Sequence, residues 1–157
     1  MLALIHSNST QTWDMAMSGS VLLDDPTLET VVAISLFTHR LALPDDILPD
    51  PKGTDRRGWW ADTYSDYAND NIGSRLWLLS RAKATVDIPQ TAKGYVLEAL
   101  QWLVDDGAAA SVDCNCYLQT QADTSGLLLA LQPIITRPNN PTPWSKVWLK
   151  TLTALGG

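Results

Sequence analysis

Arginine and tryptophan are concentrated between residues 55 and 79, and this concentration constrains the fold more than any other feature of the chain. The block DRRGWW at residues 55–60 and the block GSRLWLL at residues 73–79 hold three arginines and three tryptophans. A tryptophan buries a large apolar surface and needs an acceptor for its indole N–H, and a guanidinium needs carboxylates or an aromatic face. We therefore predict a structural cluster or a protein-binding surface formed by Arg56, Arg57, Trp59, Trp60, Arg75 and Trp77.

The cluster allows an internal and an external interpretation. In the first, the arginines hold a loop and a helix end in place while the tryptophans fill the core. In the second, the same side chains face a partner, because tryptophan and arginine dominate the centres of protein interfaces. No nucleophile with a paired base and no metal-ligand spacing accompanies the blocks, so we do not predict an active site here.

Length and charge indicate a single domain, residues 1–157, without nucleic-acid or membrane partners. A chain of 157 residues fits one domain. Its net charge is −6 and the acidity is local, since residues 44–70 hold seven acidic and three basic side chains. The sequence shows neither a basic patch suited to nucleic acid nor an apolar run of the roughly 18 residues that a membrane-spanning helix needs. The two cysteines, Cys114 and Cys116, fit a reduced cytosolic setting.

The first half of the chain is predicted to be short strands, two helices and a long loop. Residues 1–23 have the alternation of short strands. A helix should begin near Asp25, which can cap it, and Pro44 should end that element. Residues 44–70 form an irregular acidic loop that Trp59 and Trp60 pin onto the core, and a second helix covers residues 72–83. The apolar face of the first helix is predicted to contain Leu28, Val31, Val32, Ser35, Leu36 and His39.

A third helix is predicted from about Pro89 to Asp106. Asp87 and Gln90 have the spacing of a capping box, and Gly107 suits the position after the helix. Asp105 and Asp106 lie at the negative end of the helix dipole, so we expect an arginine of the cluster to pair with them. The inward stripe is predicted to be Ala92, Val96, Ala99, Leu100 and Leu103.

Two antiparallel strands follow, and the C-terminal segment can be interpreted in two ways. Alternation over residues 110–119, a turn at 121–126 and an apolar run at 127–135 predict a strand pair, with Pro133 at an edge or a strand end. Spacing allows the segment Trp144–Leu155 to be a helix or a strand, and we favour a strand. The fold class is therefore α+β, a small antiparallel sheet packed against about three helices.

Several motifs also occur in an order that resembles the Mu-like phage tail baseplate protein family, which is similar to the sheath-initiator and baseplate wedge proteins of contractile tails. The resemblance covers roughly residues 10–118. Its most specific parts are the two arginine–tryptophan blocks. The motifs are LET at 28–30, ISLFT at 34–38, DD at 45–46 with LP at 48–49, DRRGWW at 55–60, GSRLWLLSR at 73–81 and EALQWL at 98–103.

The resemblance implies a structural protein, not an enzyme, located in the virion tail baseplate and assembled in the cytoplasm of the bacterial host. Its implied partners are other baseplate wedge, tail tube or sheath proteins, and self-association stays open. An exposed strand could pair with an extended arm of a neighbour. We expect residues 137–157, a strand and tail carrying Trp144 and Trp148, to be the part offered to that neighbour.

Two other functions are considered beside this one. A lysozyme-like glycosidase that degrades peptidoglycan needs two facing carboxylates, yet Glu29 and Glu98 are the only glutamates and no pair stands out. A monomeric binding module unrelated to tails is the second. His6, His39, Cys114 and Cys116 lack zinc-site spacing, so we predict no catalytic residues, no metal and no cofactor.

Overall fold

The computed structural model describes residues 3–7, 12–18, 20–22, 27–64, 71–82, 85–120 and 127–152. Some expectations fall outside the described residues: the cap at Asp25, the end of the acidic loop at 65–70, the last residue of the predicted helix 72–83, the turn at 121–126 and the end of the C-terminal segment at 153–157. The described elements confirm an α+β fold with antiparallel sheets. No helix in these ranges is long and apolar enough to cross a membrane.

The N-terminal part forms two small hairpin-like sheets, as the alternation predicts. Strand β1 (Leu4–Ser7) pairs antiparallel with β2 (Thr12–Met15), and β3 (Met17–Ser18) pairs with β4 (Val21–Leu22). Trp13 is the residue of β2 that packs against the core, where its ring lies 5.3 Å from Phe37. The first hairpin therefore contacts the first helix, through Trp13 and through the Leu4 N–H, which donates to Thr30 Oγ1 at 3.1 Å.

The main sheet is built from the C-terminal third of the chain. Strand β5 (Ser111–Thr120) pairs with β6 (Leu127–Arg137), whose other side pairs with both β7 (Asn140–Ser145) and β8 (Trp148–Thr151). The predicted strand pair is thus confirmed. The C-terminal segment is extended, as favoured, but it forms two strands divided at residues 146–147 and not the single strand predicted. Every second residue of β5 from Val112 points to the core, and Cys114 is fully buried.

Pro133 does not lie at an edge or a strand end, so that expectation is wrong. It is buried inside β6, the central strand, opposite Cys114 of β5. On the other side of β6, the pairing with β7 ends at Ile134 and the pairing with β8 begins at Leu131. Pro133 therefore lies opposite the break between these two strands. A proline cannot donate to the ladder, so the sheet accommodates it where the third strand is interrupted.

Helix α2 (Ile88–Asp105) crosses the sheet and confirms the third predicted helix. All five residues of the predicted stripe are buried in the core. Gly107 has φ +73°, the left-handed conformation expected after a helix end. The predicted capping box is not formed, because Asp87 has helical backbone angles and its side chain makes no capping bond.

The second predicted helix is a 3₁₀-helix, Arg75–Arg81, and the tighter winding has a packing reason. Residues three apart share a face in a 3₁₀-helix. Leu76 and Leu79 pack into the main core, whereas Trp77 and Leu78 pack with Ala42, just before the acidic loop, and with Leu48 inside it. The Ser74 hydroxyl caps the helix by accepting from the Leu76 N–H at 3.3 Å.

Helix α1 (Glu29–Phe37) ends earlier than predicted, and Pro44 is not the cause. Thr38 is already extended, and His39, predicted on the helix face, forms a parallel bridge with Ser74 beyond the helix. The Ser74 N–H donates to Thr38 O at 2.9 Å, and the Arg40 N–H donates to Ser74 O at 3.1 Å. The pairing with Ser74 therefore sets the helix end.

Trp148 lies in the core, so the expectation that it is offered to a neighbour is wrong. It is fully buried and its ring centroid lies 6.1 Å from Phe37 and 6.0 Å from Trp144. Lys146, beside it, forms an ion pair with Glu29 of α1. Residues 146–148 therefore link the sheet to α1, through the ring of Trp148 on Phe37 and the Lys146–Glu29 ion pair, at the start of β8.

We therefore expect Trp148→Ala to lower the free energy of unfolding by about 3–5 kcal/mol, the usual cost of emptying a tryptophan site in a core. Truncation after Asn140 should abolish cooperative unfolding, because it removes β8 and most of β7. Chemical denaturation followed by circular dichroism measures both. The control is Trp60→Ala, at an exposed site where a change of no more than about 0.5 kcal/mol is expected. A truncated protein that unfolds cooperatively near the wild-type midpoint would show that the segment is dispensable.

Candidate functional site

Arg75 joins three segments that are far apart in the sequence. Its Nη1 donates to both carboxylate oxygens of Asp46, at 2.8 and 3.0 Å, and its Nε donates to Glu98 Oε2 at 2.9 Å. The guanidinium carbon lies 4.7 Å from the centre of the Tyr95 ring. Arg75 and Asp46 expose only 15% and 13% of their side chains. Arg75 therefore has the internal role, in which an arginine of the cluster holds a loop and a helix in place.

The electrostatics of this site favour the charged guanidinium. Burial opposes the charge, but hydrogen bonds to Glu98 and Asp46 outweigh it and raise the pKa of Arg75. Burial, with the nearby Asp46 carboxylate, also raises the pKa of the Tyr95 hydroxyl. The site is a closed set of complementary groups, and that arrangement is typical of a structural ion-pair network.

Trp77 and Arg57 form a second contact, which joins the acidic loop to the residues that follow α1. The Trp77 indole N–H donates to Arg40 O at 2.8 Å, and the Arg57 guanidinium carbon lies 5.4 Å above the Trp77 ring. Arg57 Nη1 also donates to His39 Nδ1 at 2.9 Å. Trp77 is buried whereas Arg57 remains exposed, so the pair closes the edge of the core.

Arg56, the remaining arginine of the cluster, forms hydrogen bonds with residues 42 and 43 of the same irregular stretch of chain. Arg56 donates from its side chain to Leu43 O, and its carbonyl accepts from the Ala42 N–H at 3.1 Å. The chain then turns through Arg57, at φ +49°, where the Asp55 carboxylate accepts from the Arg57 N–H at 2.8 Å. This Asp-based turn directs the following tryptophans away from the core.

The expected pairing of these arginines with Asp105 and Asp106 is wrong. Arg75 reaches Glu98 instead, which lies about two helical turns before Asp105. Asp105 accepts from Gln101 Nε2 at 3.0 Å on its own helix. Arg57 does approach an acidic group, since its Nε lies 3.8 Å from Asp55 Oδ2, but that pair is exposed.

Trp59 and Trp60 are exposed, so the expectation that they pin the loop onto the core is wrong. A short 3₁₀-helix, Trp60–Tyr64, follows the turn. The ring centroids of Trp59 and Trp60 lie 5.8 Å apart, and those of Trp60 and Tyr64 lie 6.2 Å apart. Trp60 is 74% exposed and Tyr64 is 78% exposed. We call Trp59, Trp60 and Tyr64 the aromatic ridge.

A surface groove of about 640 Å³ runs along one side of the aromatic ridge. Its walls come from α1, from the ridge, from the residues before Arg75 and from α2. The Trp102 indole N–H donates to Ser35 Oγ at 3.2 Å inside it, and Ser35 Oγ donates to Val31 O at 3.0 Å. The lining includes Val31, Ile34, Trp59, Asp62, Ile72 and Trp102.

Gly73 allows the groove and the Arg75 site to exist side by side. Its φ is +99°, and a Cβ at this position would lie 2.4 Å from Thr38 O. Any other residue would push the chain away from the end of α1 and break the bridge to Ser74.

The glutamates, histidines and cysteines considered from the sequence as catalytic or metal-binding candidates have other surroundings in the described residues. No group of three or more His, Cys, Asp or Glu side chains that could hold a metal ion is found among them. Glu29 is paired with Lys146 and Glu98 with Arg75, so the glutamates serve separate ion pairs. Cys114 and Cys116 are free thiols whose sulfurs lie 3.4 Å apart on β5.

Sequence reasoning missed four residues that carry this region: Asp46, Glu98, Asp62 and Trp102. Asp46 and Glu98 stood within motifs of the family resemblance, and that was the available signal for the Arg75 site. Nothing in the sequence distinguishes Asp62 from the other loop aspartates. The predicted members Trp144 and Trp148 lie apart from the cluster, in the main sheet.

Comparison with known proteins places the chain among phage proteins. Residues 28–142 match the family described as Phage protein GP46. The chain is 50% identical over 112 residues to the baseplate protein gp46 of Escherichia phage Mu, covering 71% of this chain and 73% of the relative. It is 37% identical over 129 residues to the Mu-like prophage FluMu protein gp46 of Haemophilus influenzae, covering 82% of each. No solved structure matches it significantly.

We expect Arg75→Ala to lower the free energy of unfolding by about 3 kcal/mol or more, because it leaves two partly buried carboxylates without their cation. The matched control is Arg57→Ala, whose side chain is 45% exposed and for which a loss of no more than about 1 kcal/mol is expected. Urea denaturation of both variants measures the difference. Equal losses would contradict the central role of Arg75.

We also expect His39 to make stability depend on pH. Burial, with the positive charges of Arg57 and Lys150, lowers the pKa of His39. The unfolded state therefore takes up the proton first, and stability falls as pH drops below about 6.5, through the lowered pKa of the folded state. His39→Gln should flatten this fall, measured by denaturation between about pH 7.5 and pH 5. An NMR titration giving His39 a pKa above its usual value would contradict the expectation.

Proposed function

The chain belongs to the family of phage protein GP46, and from that membership we infer that it is a structural protein of the phage tail baseplate. The observation that carries this conclusion is the 50% identity to a protein named as a baseplate protein, over 73% of that protein's length. The protein's place is therefore the baseplate of the virion tail. The relative from a Mu-like prophage fits the same family.

We propose further that the protein is a wedge component of a contractile tail and contacts other wedge, tail tube or sheath proteins. Likeness to sheath initiators stays a prediction. The proposal includes the absence of enzymatic activity. The two glutamates support this part of the proposal, because each is held in an ion pair of its own. A glycosidase has no observation in its favour.

The aromatic ridge is the contact surface that we propose. Its rings follow the turn at Arg57 and contact one another in tilted and edge-to-face geometry, yet most of the Trp60 and Tyr64 surface faces solvent. Exposed, preordered tryptophan and tyrosine are the residues that most often dominate binding energy at protein interfaces. The ridge thus takes the role that the sequence suggested for the C-terminal segment.

The outer edge of β5 is the strand that we propose for pairing with a neighbour's arm. Within the described ranges, its ten residues pair with β6 on one side only. The side chains on the outer face of β5 are largely polar, including Ser111, Asp113 and Asn115. The unpaired edge is therefore compatible with water until a partner strand covers it. Such an edge can add a strand through main-chain hydrogen bonds alone.

We expect the double variant Trp60→Ala/Tyr64→Ala to fold with wild-type stability but to enter tail particles at least about tenfold less efficiently, as the loss of hot-spot aromatics predicts. The test complements a phage or prophage lacking this gene, with quantification of the protein in purified particles. Val86→Ala, which removes an exposed apolar side chain elsewhere, is the control and should enter normally. Normal incorporation of the double variant would exclude the ridge as the contact surface.

A further inference from the structure

The groove beside the aromatic ridge contains a carboxylate that the described residues leave half satisfied. Asp62 Oδ1 accepts from the Ile72 N–H at 3.2 Å. Asp62 Oδ2 is shielded from solvent and has no hydrogen-bond partner among the residues that the structure describes. Asp62 belongs to the lining of the groove, so this oxygen lies beside an open surface depression.

A shielded carboxylate oxygen without a donor is unfavourable. Removing a charged group from water costs free energy unless hydrogen bonds or an opposite charge compensate for it. None of the described polar groups of the groove wall, Asn71 included, donates to this oxygen. The Ser35 hydroxyl already donates to Val31 O and accepts from Trp102 Nε1. Within the part of the chain that the structure describes, Asp62 therefore forms a site that a cationic donor from outside would complete.

The surroundings of Asp62 select the kind of donor. Trp59, Tyr64 and Trp102 line the groove and are themselves partly exposed. Aromatic faces attract lysine and arginine and also cover their aliphatic stems. The chain's net charge of −6 favours the approach of a cation as well. Residues 65–70, which directly follow Tyr64, contain no lysine or arginine.

We propose that the groove receives a lysine or arginine side chain carried by an apolar segment of a neighbouring baseplate protein. The cationic head pairs with Asp62 Oδ2, and the apolar flanks of the segment cover Val31, Ile34 and the rings. The volume of about 640 Å³ has room for several side chains of such a segment. This inference rests on the proposed baseplate function and names the chemistry of the partner.

Asp62→Asn is the decisive variant because it removes the charge and keeps an oxygen for the Ile72 N–H. We expect its melting temperature to equal or exceed that of the wild type, since an uncompensated charge is lost. We expect its incorporation into tail particles to fall at least about tenfold, the effect of losing one partner of a buried charged pair. Asp45→Asn makes the same charge change at an exposed site and should enter normally.

A second measurement tests the chemistry with defined probes on the full chain. The tripeptides acetyl-Leu-Arg-Leu-amide and acetyl-Leu-Lys-Leu-amide should shift the indole N–H signals of Trp59 and Trp102 in NMR titrations. The neutral probe acetyl-Leu-norleucine-Leu-amide should shift them much less. Asp62→Asn should remove the difference between cationic and neutral probes.

Each other outcome overturns the inference in a recognisable way. Normal incorporation of Asp62→Asn, or equal binding of the neutral probe, shows that the charge has no role. A response to free arginine or spermidine, but not to the peptides, assigns the groove to a small cation. Self-association that Asp62→Asn abolishes assigns it to a second copy of the chain. Absence of the wild-type protein from particles refutes the baseplate function itself, so the two failures are distinguishable.

Discussion

The rest of the structure depends on the ion-pair network around Arg75. One guanidinium holds the acidic loop through Asp46 and helix α2 through Glu98, and its own 3₁₀-helix packs on the core through Leu76 and Leu79. Residues 38–59 have little regular secondary structure, so their backbone groups and side chains need fixed partners elsewhere. Arg75, Arg56 and the Trp77 indole supply those partners. An irregular segment thereby gains a defined path on the surface of the protein.

That defined path is what connects the interior to the function. Contacts with the interior fix the turn at Arg57 and the close approach of Gly73 to Thr38. The aromatic ridge and the groove lie next to these two positions, on the side that faces solvent. The internal and external interpretations of the arginine–tryptophan block are therefore divided among its residues. Arg75 and Trp77 serve the interior, whereas Trp59 and Trp60 face solvent.

The sequence predicted those parts of the fold in which one periodicity dominates. The stripe of α2 and the alternation of β5 are repeated over many residues, so local pattern and tertiary burial agree. Trp60 and Trp148 show where this reasoning ends. Both tryptophans lie in segments with prolines nearby, so local composition does not distinguish them. Trp148 is buried because β8 pairs with β6, whereas Trp60 lies in a 3₁₀-helix without such pairing and is exposed. The end of α1 and the register around Pro133 also depend on contacts distant in sequence, which composition and spacing do not encode.

The break opposite Pro133 makes the two sides of the main sheet unequal. Strand β5 presents ten consecutive residues, while the far side is divided between a strand of six residues and a strand of four. Two long free edges allow copies to add head to tail without limit, which produces fibres. The main sheet therefore has one long edge that could take an added strand and one edge that is divided, among the residues that the structure describes. A proline in the middle of the central strand thus determines which side of the sheet is uninterrupted.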